Sequence, residues 1–296
     1  MNIFITGSSG LVGTDLCDKL NQKNYSVYKL DRIHNSMGLN SPDWNLDISQ
    51  DKNTVHANTF IHLAGENIAA KRWSDNQKKK IYESRILGTK KLVAKIIASP
   101  NKPKTFICAS AIGYYGDRNQ ELLDENSISG ENFVSKICKD WEQITQPLKD
   151  HGIRVVNLRF GVILSKKGGA LKKMLIPFKL GLGGALGTGQ QKFSWISLED
   201  AIKAIIYIIE KPNITGPVNI TSPNPVSNSV YTKTLAKTLN RPAFFDMPAF
   251  ICRLLFGKIA DELLLSSQSV MPKKLIQNGF SFSDIDIESA LSKTLK

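Results

Sequence analysis

The chain has 296 residues, 42% of them hydrophobic and 22% charged, a balance that is ordinary for a folded protein with a large core. The formal net charge of +13 would suit a nucleic-acid partner, but the lysines stand in short scattered groups without interleaved aromatic residues. No apolar run approaches the length of a membrane span, the N-terminus carries no secretory signal pattern, and the four cysteines show no metal-ligand spacing. We therefore expect a cytoplasmic location and no nucleic-acid, membrane or metal partner.

The first predicted element is a buried strand over Asn2–Thr6, an apolar run that a glycine ends. Gly7, Gly10 and Gly13 follow at the spacing of a dinucleotide-binding turn, and a helical period begins at Val12. Gly7 allows a sharp turn, Gly10 leaves room for a pyrophosphate, and Gly13 lets the helix pack closely on the strand. The free N–H groups of that helix would face the phosphates. The order of strand, glycine turn and helix predicts a dinucleotide site.

The second predicted strand, Tyr25–Leu30, ends in Asp31 and Arg32. An acidic residue here binds the ribose hydroxyls of NAD, whereas an arginine accommodates the 2′-phosphate of NADP. Because both stand side by side, spacing alone leaves the choice open. A short third strand is predicted over Trp44–Ile48, in which Asp47 is either an adenine ligand or a capping residue.

A fourth buried strand is predicted over Thr59–Leu63, and the small residues from Ala64 onwards would let the backbone pass close to a ligand. His62, inside this apolar strand, is interpreted as a core histidine. The following loop carries Lys71–Trp73, two cations beside an indole, which suit a phosphate and a flat or sugar ring. A solvated loop with an anchoring tryptophan explains these three residues equally well.

Helices and strands continue to alternate as far as Leu164. The predicted elements are a helix over Asp75–Ala98 with Ser74 as its N-cap, a strand over Lys104–Ala109, a polar loop over Glu121–Glu131, a helix over Asn132–Lys149 and a strand over Ile153–Phe160. This alternation predicts an α/β fold with a Rossmann-like doubly wound parallel sheet. Ligands of such sheets bind at the carboxyl ends of the strands.

The pattern changes after Leu164, where the regular alternation ends. Helices are predicted from Gly168 to Leu180 and over Leu198–Glu210, with a last sheet strand over Gly216–Ile220 and proline-punctuated helices beyond it. We expect residues 1–165 to form the dinucleotide-binding domain, with 196–222 returning to it. Residues 166–195 and 223–296 are expected to form a smaller, mainly helical lid on the substrate side.

Together these residues resemble the extended short-chain dehydrogenase/reductase superfamily, the group of the nucleotide-sugar epimerases, over the whole chain. The motifs that carry the resemblance are Thr6-Gly7-x-x-Gly10-x-x-Gly13, Leu63-Ala64-Gly65, Gly88-Thr89, Ser110, Tyr115-Gly116-Asp117, Lys136 and Leu158-Arg159. The chain is more closely similar to an atypical epimerase-like subfamily, at Ala64-Gly65-Glu66, Lys71-Arg72-Trp73, Ser194-Trp195-Ile196 and Pro272-Lys273-Lys274-Leu275. Members of that subfamily end in a short C-terminal domain of unassigned role, which residues 241–291 resemble.

Three departures separate this chain from the superfamily pattern. The superfamily places a catalytic tyrosine four residues before its lysine, but the residue four before Lys136 is Asn132, which cannot serve as a phenolic acid or base. Arg85 stands where the superfamily has an asparagine. Ser110 precedes Tyr115 by five residues rather than four. These departures argue against the standard mechanism of hydride transfer.

The resemblance and its departures imply roles for individual residues. The expected catalytic residues are Ser110, Lys136 and one of Tyr114 and Tyr115, whose ring would replace the missing phenol. The expected cofactor-binding residues are Gly7, Ser9, Gly10, Leu11, Val12, Asp31, Arg32, Leu63, Ala64, Gly65, Glu66, Lys136 and Val162. The expected substrate residues are Lys71, Arg72, Trp73, Arg85, Arg159 and Trp195.

The predicted cofactor is NADP(H), with NAD(H) as the alternative, because the subfamily places a phosphate partner at Arg32 and the chain is basic. The cationic substrate residues indicate an anionic small molecule such as a nucleotide sugar. We expect an epimerase or reductase with an altered acid/base, and a homodimer is the expected assembly. The alternative is a catalytically weak NADP(H)-binding regulator that works through a protein partner, a role that would fit the cell-division label some subfamily members carry.

Overall fold

A computed structural model describes residues 1–30, 32–33, 43–44 and 56–296 of the chain. Its strands are β1 (Asn2–Thr6), β2 (Ser26–Leu30), β3 (Arg32–Ile33), β4 (Asp43–Trp44), β5 (Thr59–His62), β6 (Thr105–Ala111), β7 (Leu122–Leu123), β8 (Arg154–Phe160), β9 (Val162–Leu164), β10 (Lys192–Phe193), β11 (Trp195–Ser197), β12 (Gly216–Ile220), β13 (Val226–Ser227) and β14 (Ser269–Val270). The predicted site residue Asp31 and the predicted ligand or cap Asp47 lie outside the described residues, and Arg32 is described only by its place in β3.

The helices of the described residues follow the same chain order. They are α1 (Leu11–Gln22), α2 (Asp75–Ala98), α3 (Phe133–Ile144), α4 (Pro147–Asp150), α5 (Gly169–Lys179), α6 (Leu198–Glu210), α7 (Asn228–Thr238), α8 (Ala249–Phe256), α9 (Lys273–Gln277) and α10 (Ile287–Leu295). A 3₁₀ turn spans Ile112–Tyr115 and a π-helical turn spans Ala260–Leu264. None of these described helices combines the length and apolarity needed to cross a bilayer.

Six strands form one sheet in the order β12-β8-β6-β5-β1-β2. β1 pairs in parallel with both β2 and β5, and β5 pairs in parallel with β6. In this register Thr6 stands opposite both Leu30 and His62, so the carboxyl ends of three neighbouring strands are level. The predicted α/β fold with a Rossmann-like parallel sheet is confirmed.

Several predicted elements appear with their predicted bounds because their signals are local. β1, α2, α6 and β12 cover the predicted residues, and the predicted cap of α2 is confirmed since Ser74 Oγ accepts from the Gln77 N–H at 3.2 Å. The long helix predicted over Asn132–Lys149 was wrong in one respect: it ends at Ile144, and Pro147 opens the separate α4. Proline has no N–H to continue the helical hydrogen bonds but is well placed in a first turn.

The polar loop predicted over Glu121–Glu131 contains a short strand that its composition did not indicate. β7 pairs in parallel with β14, with Leu122 opposite Ser269 and Leu123 opposite Val270. Only two residues pair on each strand, and their partner lies far along the chain. No local pattern of alternating side chains could therefore reveal this strand.

The chain divides into two units. Unit 1 comprises 1–110, 137–158 and 205–217, and its core contains Phe60, Phe106 and Trp141 among aliphatic side chains of α2 and β8. Unit 2 comprises 111–136, 159–204 and 218–296, and one of its cores contains Trp195 and Tyr231 with apolar residues of α5, α7 and α10. The four cysteines are buried and form no disulfide bond within the described structure.

Candidate functional site

The glycine turn between β1 and α1 has no room for a side chain at Gly7 or Gly13. Gly7 has φ +72°, and a Cβ there would lie 2.8 Å from the Ala64 nitrogen. A Cβ on Gly13 would lie 2.1 Å from the Gly7 carbonyl oxygen, and one on Gly10 would lie 3.2 Å from the same oxygen. The Gly10 N–H donates to Gly7 O at 3.0 Å, which closes the turn. The mechanical roles predicted for Gly7 and Gly13 therefore have direct geometric causes.

The start of α1 is suited to an anion. Within the described part of the chain, no side chain caps this helix at Gly10, and its first turn holds no acidic residue. The first N–H groups of a helix have no partner inside the helix, and they carry the positive end of its dipole. Ser9 and Gly10 are exposed, whereas Leu11 and Val12 are half-buried. This cradle fits a phosphate of a dinucleotide.

The end of β5 passes directly beside the glycine turn, within unit 1. The Leu63 N–H donates to Thr6 O at 3.1 Å, and Ala64 is buried against Gly7. Gly65 faces the Arg85 guanidinium, because an added Cβ would lie 3.2 Å from Arg85 Cζ. The structure thus brings together two groups of predicted cofactor residues that are far apart in sequence.

Arg85 is held by the protein rather than displayed on the surface. Its guanidinium lies 5.2 Å from the centroid of the Trp141 ring, and burial lowers the pKa of Arg85 from its usual value. Lys71 and Arg72 are exposed on the preceding loop, while the Trp73 indole N–H donates to Ile68 O at 2.8 Å. The structure therefore anchors Trp73 and leaves the Lys71 and Arg72 side chains exposed, where an anion has access to them.

His62 is a core residue, as the sequence predicted. It is fully buried, and its two ring nitrogens lie 2.7 Å from Thr6 Oγ1 and 3.0 Å from Thr89 Oγ1. The Trp141 indole N–H donates to the same Thr89 hydroxyl at 2.7 Å. These bonds join the ends of β1 and β5 to α2 and α3, so His62 has a structural role beneath the glycine turn.

Ser110 has a partner that sequence reasoning missed. Its hydroxyl donates to Glu142 Oε1 at 2.7 Å, and both side chains are buried. Glu142 follows Cys138 by four residues on the buried face of α3, and a carboxylate at such a position requires a hydrogen-bond donor. That four-residue spacing was the sequence signal that could have placed Glu142 in the interior, where it needs a partner. The Ser110 proton is committed to this carboxylate, which makes the pair an anchor between β6 and α3.

Tyr115 belongs to a buried hydrogen-bond network in unit 2. Its hydroxyl donates to Asn219 Oδ1 at 2.7 Å and accepts from Arg159 Nη1 at 3.0 Å. The side chain is fully buried, and burial raises the pKa of Tyr115 to about 12, although Arg159 acts in the opposite direction. Tyr114 is half-buried, with Arg159 Cζ 3.5 Å from its ring centroid. The two tyrosines, which the sequence left as equal candidates, thus occupy different environments.

Asn132, which replaces the tyrosine of the superfamily motif, caps α3. Its Oδ1 accepts from the Ser135 N–H and from the Ser135 hydroxyl, each at 2.8 Å. Lys136 follows one turn later and its side chain is exposed. The residue that departs from the superfamily pattern therefore stabilises the start of a helix instead of supplying a phenol.

Trp195 and Val162 are paired residues of unit 2. They stand opposite each other in the parallel pair of β9 and β11. Trp195 is fully buried, its indole N–H donates to Asn224 O at 3.0 Å, and its ring belongs to a hydrophobic core. Because its side chain is fully buried, Trp195 is not among the residues that we propose to bind the substrate.

Glu125 is a buried carboxylate beside the same network. Its Oε1 accepts from the N–H groups of Asn219 and Lys274 at 3.1 and 3.2 Å, while Oε2 has no hydrogen-bond partner among the described residues. Burial raises the pKa of Glu125 above its ordinary value of 4.5. The folded state therefore binds this proton more tightly than the unfolded chain does, and stability should fall as pH rises through the raised pKa.

We expect Glu125→Gln to remove this pH dependence, because the amide does not titrate. Relative to the wild type, the variant should gain stability as pH rises from 4.5 through the raised pKa. Urea unfolding across that interval measures the difference between the two proteins. Glu131→Gln, at an exposed position nearby, is the matched control. Parallel stability curves for wild type and Glu125→Gln would contradict the assignment.

Comparison with known proteins agrees with this geometry. The model of the NAD dependent epimerase/dehydratase family matches residues 3–221, and a domain of unknown function, DUF1731, matches residues 247–294. An epimerase family protein of Mycobacterium bovis, Mb2239, is 39% identical over 98% of this chain and 96% of its own length.

Two solved structures are also similar. The human epimerase family protein SDR39U1, determined with NADPH, has a TM-score of 0.88 and 28% identity, and the match covers 99% of each chain. A nucleoside-diphosphate sugar epimerase from Corynebacterium glutamicum has a TM-score of 0.79 and 35% identity, covering all of this chain and 58% of that one. On the family match and the relatives' identity over nearly its whole length, the chain belongs to the NAD dependent epimerase/dehydratase family and ends in a DUF1731 domain.

Proposed function

We propose that this protein binds NADP(H) at the glycine turn of unit 1 and acts as an epimerase or reductase on an anionic substrate. The observation that carries the proposal is the turn itself, where Gly7 and Gly13 admit no Cβ and the uncapped start of α1 lies directly beside it. The human relative determined with NADPH supports the choice of the phosphorylated cofactor. When bound, the cofactor would supply the hydride chemistry.

Residues of this chain would hold the cofactor and the substrate. Gly10 and the N–H groups of Leu11 and Val12 would face the pyrophosphate, and Arg32 would bind the 2′-phosphate. The exposed Lys71 and Arg72 would bind an anionic group of the substrate, for which a nucleotide sugar is the favoured class. The nucleoside-diphosphate sugar epimerase of Corynebacterium glutamicum supports that class.

Calorimetric titration with NADPH and NADH tests the cofactor. We expect NADPH to bind at least about tenfold more tightly, because a charge-assisted bond to phosphate contributes roughly 1.5–3 kcal/mol. Arg32→Ala should weaken NADPH binding by a similar factor and leave NADH binding unchanged. Lys29→Ala removes an exposed cation three residues earlier and is the matched control. Tighter binding of NADH, or an Arg32→Ala variant with full NADPH affinity, would refute the proposal.

One observation favours a second candidate function, a cofactor-binding regulator with little or no turnover. No phenol stands at the position of the superfamily's tyrosine, because Asn132 is there and caps α3. The Tyr115 hydroxyl is already hydrogen-bonded within a buried network. This alternative predicts tight NADPH binding without oxidation of NADPH by any sugar nucleotide or small carbonyl compound tested. Measurable oxidation of NADPH by one such compound would exclude it.

A further inference from the structure

Large apolar side chains are exposed in one region of unit 2. Leu180, Leu182, Phe244, Phe245, Phe250 and Leu254 are 54–82% exposed, and we call these six residues the apolar face. In unit 1, by contrast, the exposed large apolar side chains of the described residues are Met1 and Leu87. Exposed apolar residues that stand singly are normal, whereas a group of them indicates a surface that meets a partner.

The two stretches of chain that carry this face lie side by side. The Arg241 Nε–H donates to Lys179 O at 3.0 Å, and the Phe245 N–H donates to Gly183 O at 3.0 Å. α8 begins only four residues after Phe245, at Ala249. The exposed leucines that follow α5 and the exposed phenylalanines that precede α8 are therefore neighbours in space as well as members of one unit.

The backbone beneath the apolar face is tightly packed. A Cβ on Gly184 would lie 1.9 Å from the Phe245 carbonyl oxygen, so the two stretches touch without an intervening side chain. Phe250 and Leu254 are four residues apart on α8 and therefore lie on the same side of that helix. Packing of this kind fixes the backbone while its apolar side chains remain exposed.

Basic residues outnumber acidic ones around the apolar face. Residues 166–185 contain five lysines and no acidic residue, whereas residues 241–262 contain three basic and three acidic residues. Lys172, Lys179 and Arg241 are exposed. Arg253 is also exposed and pairs with Asp261 at 2.8 Å. Basic side chains bordering exposed phenylalanine and leucine are the composition of protein surfaces that bind the membrane interface.

The excess of basic residues favours an anionic lipid surface over a second copy of the chain as the partner of the apolar face. A symmetric contact between two copies would bring the same patch face to face and place like charges together, which is unfavourable. An anionic surface is complementary to the same charges, and the chain's net charge of +13 adds long-range attraction. Side chains more than half exposed protrude from the surface rather than line a groove, which favours a soft lipid surface over a shaped protein partner.

We propose that the apolar face binds the surface of an anionic lipid bilayer, with Phe244 and Phe245 entering the headgroup region and the bordering cations meeting lipid phosphates. No described helix needs to span the bilayer for this binding. This surface binding differs from the sequence-based expectation of no membrane partner, which rested on the lack of a spanning run. It is independent of the cofactor and of turnover.

Flotation of the full chain with vesicles tests the proposal. Vesicles of phosphatidylcholine alone are compared with vesicles of equal parts phosphatidylcholine and phosphatidylglycerol. We expect binding to the anionic vesicles to be at least about tenfold stronger, because each basic residue near an anionic surface adds to the attraction. The Phe244→Ser, Phe245→Ser double variant should bind them about tenfold less, since it loses two large apolar insertions.

The matched control is the Leu122→Ser, Ile128→Ser double variant, which removes two apolar residues that are 65% and 72% exposed elsewhere in unit 2. It should bind vesicles like the wild type, and both double variants should keep wild-type NADPH affinity. Lack of binding to anionic vesicles would overturn the proposal, as would equal loss in both double variants. Light scattering that shows dimers dissociated by Phe244→Ser, Phe245→Ser would assign the face to self-association instead.

Discussion

Gly13→Ala is expected to destabilise the folded protein by about 3 kcal/mol, the upper range for forcing one extra group into a packed site. A Cβ at this position would lie 2.1 Å from the Gly7 oxygen and 2.8 Å from the Ser8 Cα. Both are backbone atoms, so no side chain can move aside, and α1 or the turn itself must shift. Urea unfolding measures the change in the free energy of unfolding.

Gly10→Ala separates folding from binding at the same turn. A Cβ there meets one atom, Gly7 O at 3.2 Å, and Gly10 has φ −77°, which alanine adopts readily. We expect this variant to keep most of its stability but to lose NADPH affinity by about tenfold or more, because its methyl group would occupy the approach of the pyrophosphate. Calorimetric titration with NADPH measures that loss. A Gly13→Ala protein as stable as the wild type, or a Gly10→Ala protein with full affinity, would contradict this account of the turn.

Tyr114→Phe and Tyr115→Phe are expected to affect different properties, the first the reaction rate and the second the stability. If the protein turns over a substrate, Tyr114 is the phenol available for proton transfer, and its loss should reduce the rate by about 10²–10⁴ with NADPH affinity unchanged. Tyr115→Phe should retain most activity but lose about 1–3 kcal/mol of stability, because two buried partners lose their hydrogen bond to its hydroxyl. Those partners are Asn219 Oδ1 and Arg159 Nη1.

The reaction rate is measured as oxidation of NADPH by a panel of sugar nucleotides and small carbonyl compounds. Stability is measured by urea unfolding. Tyr207→Phe, on α6 at a half-buried position, serves as the control for removing a phenol elsewhere. Full activity of Tyr114→Phe would mean that the proton comes from water or from a hydroxyl of the substrate. A large rate loss in Tyr115→Phe without loss of stability would reverse the assignment of the two rings.

Much of the fold was readable from the sequence because its signals are local. The bounds of α2 follow from a capping serine, apolar residues at helical spacing and a following proline, all within one stretch of chain. The helix predicted over Asn132–Lys149 is wrong beyond Ile144, because Pro147 has no N–H to continue the helical hydrogen bonds and opens α4 instead. The pairing of β7 with β14 could not be read, because each strand gains its partner only in the folded chain.

The candidate site shows the same division between local and distant causes. By itself, the sequence determined the glycine turn, since Gly7, Gly10 and Gly13 act within a few residues of one another. Only the tertiary structure decided the surroundings of Ser110 and Tyr115. Ser110 meets a carboxylate 32 residues away, and the Tyr115 hydroxyl meets partners 44 and 104 residues away. A hydroxyl's role depends on which donors and acceptors surround it, and those groups assemble only when distant strands and helices pack together.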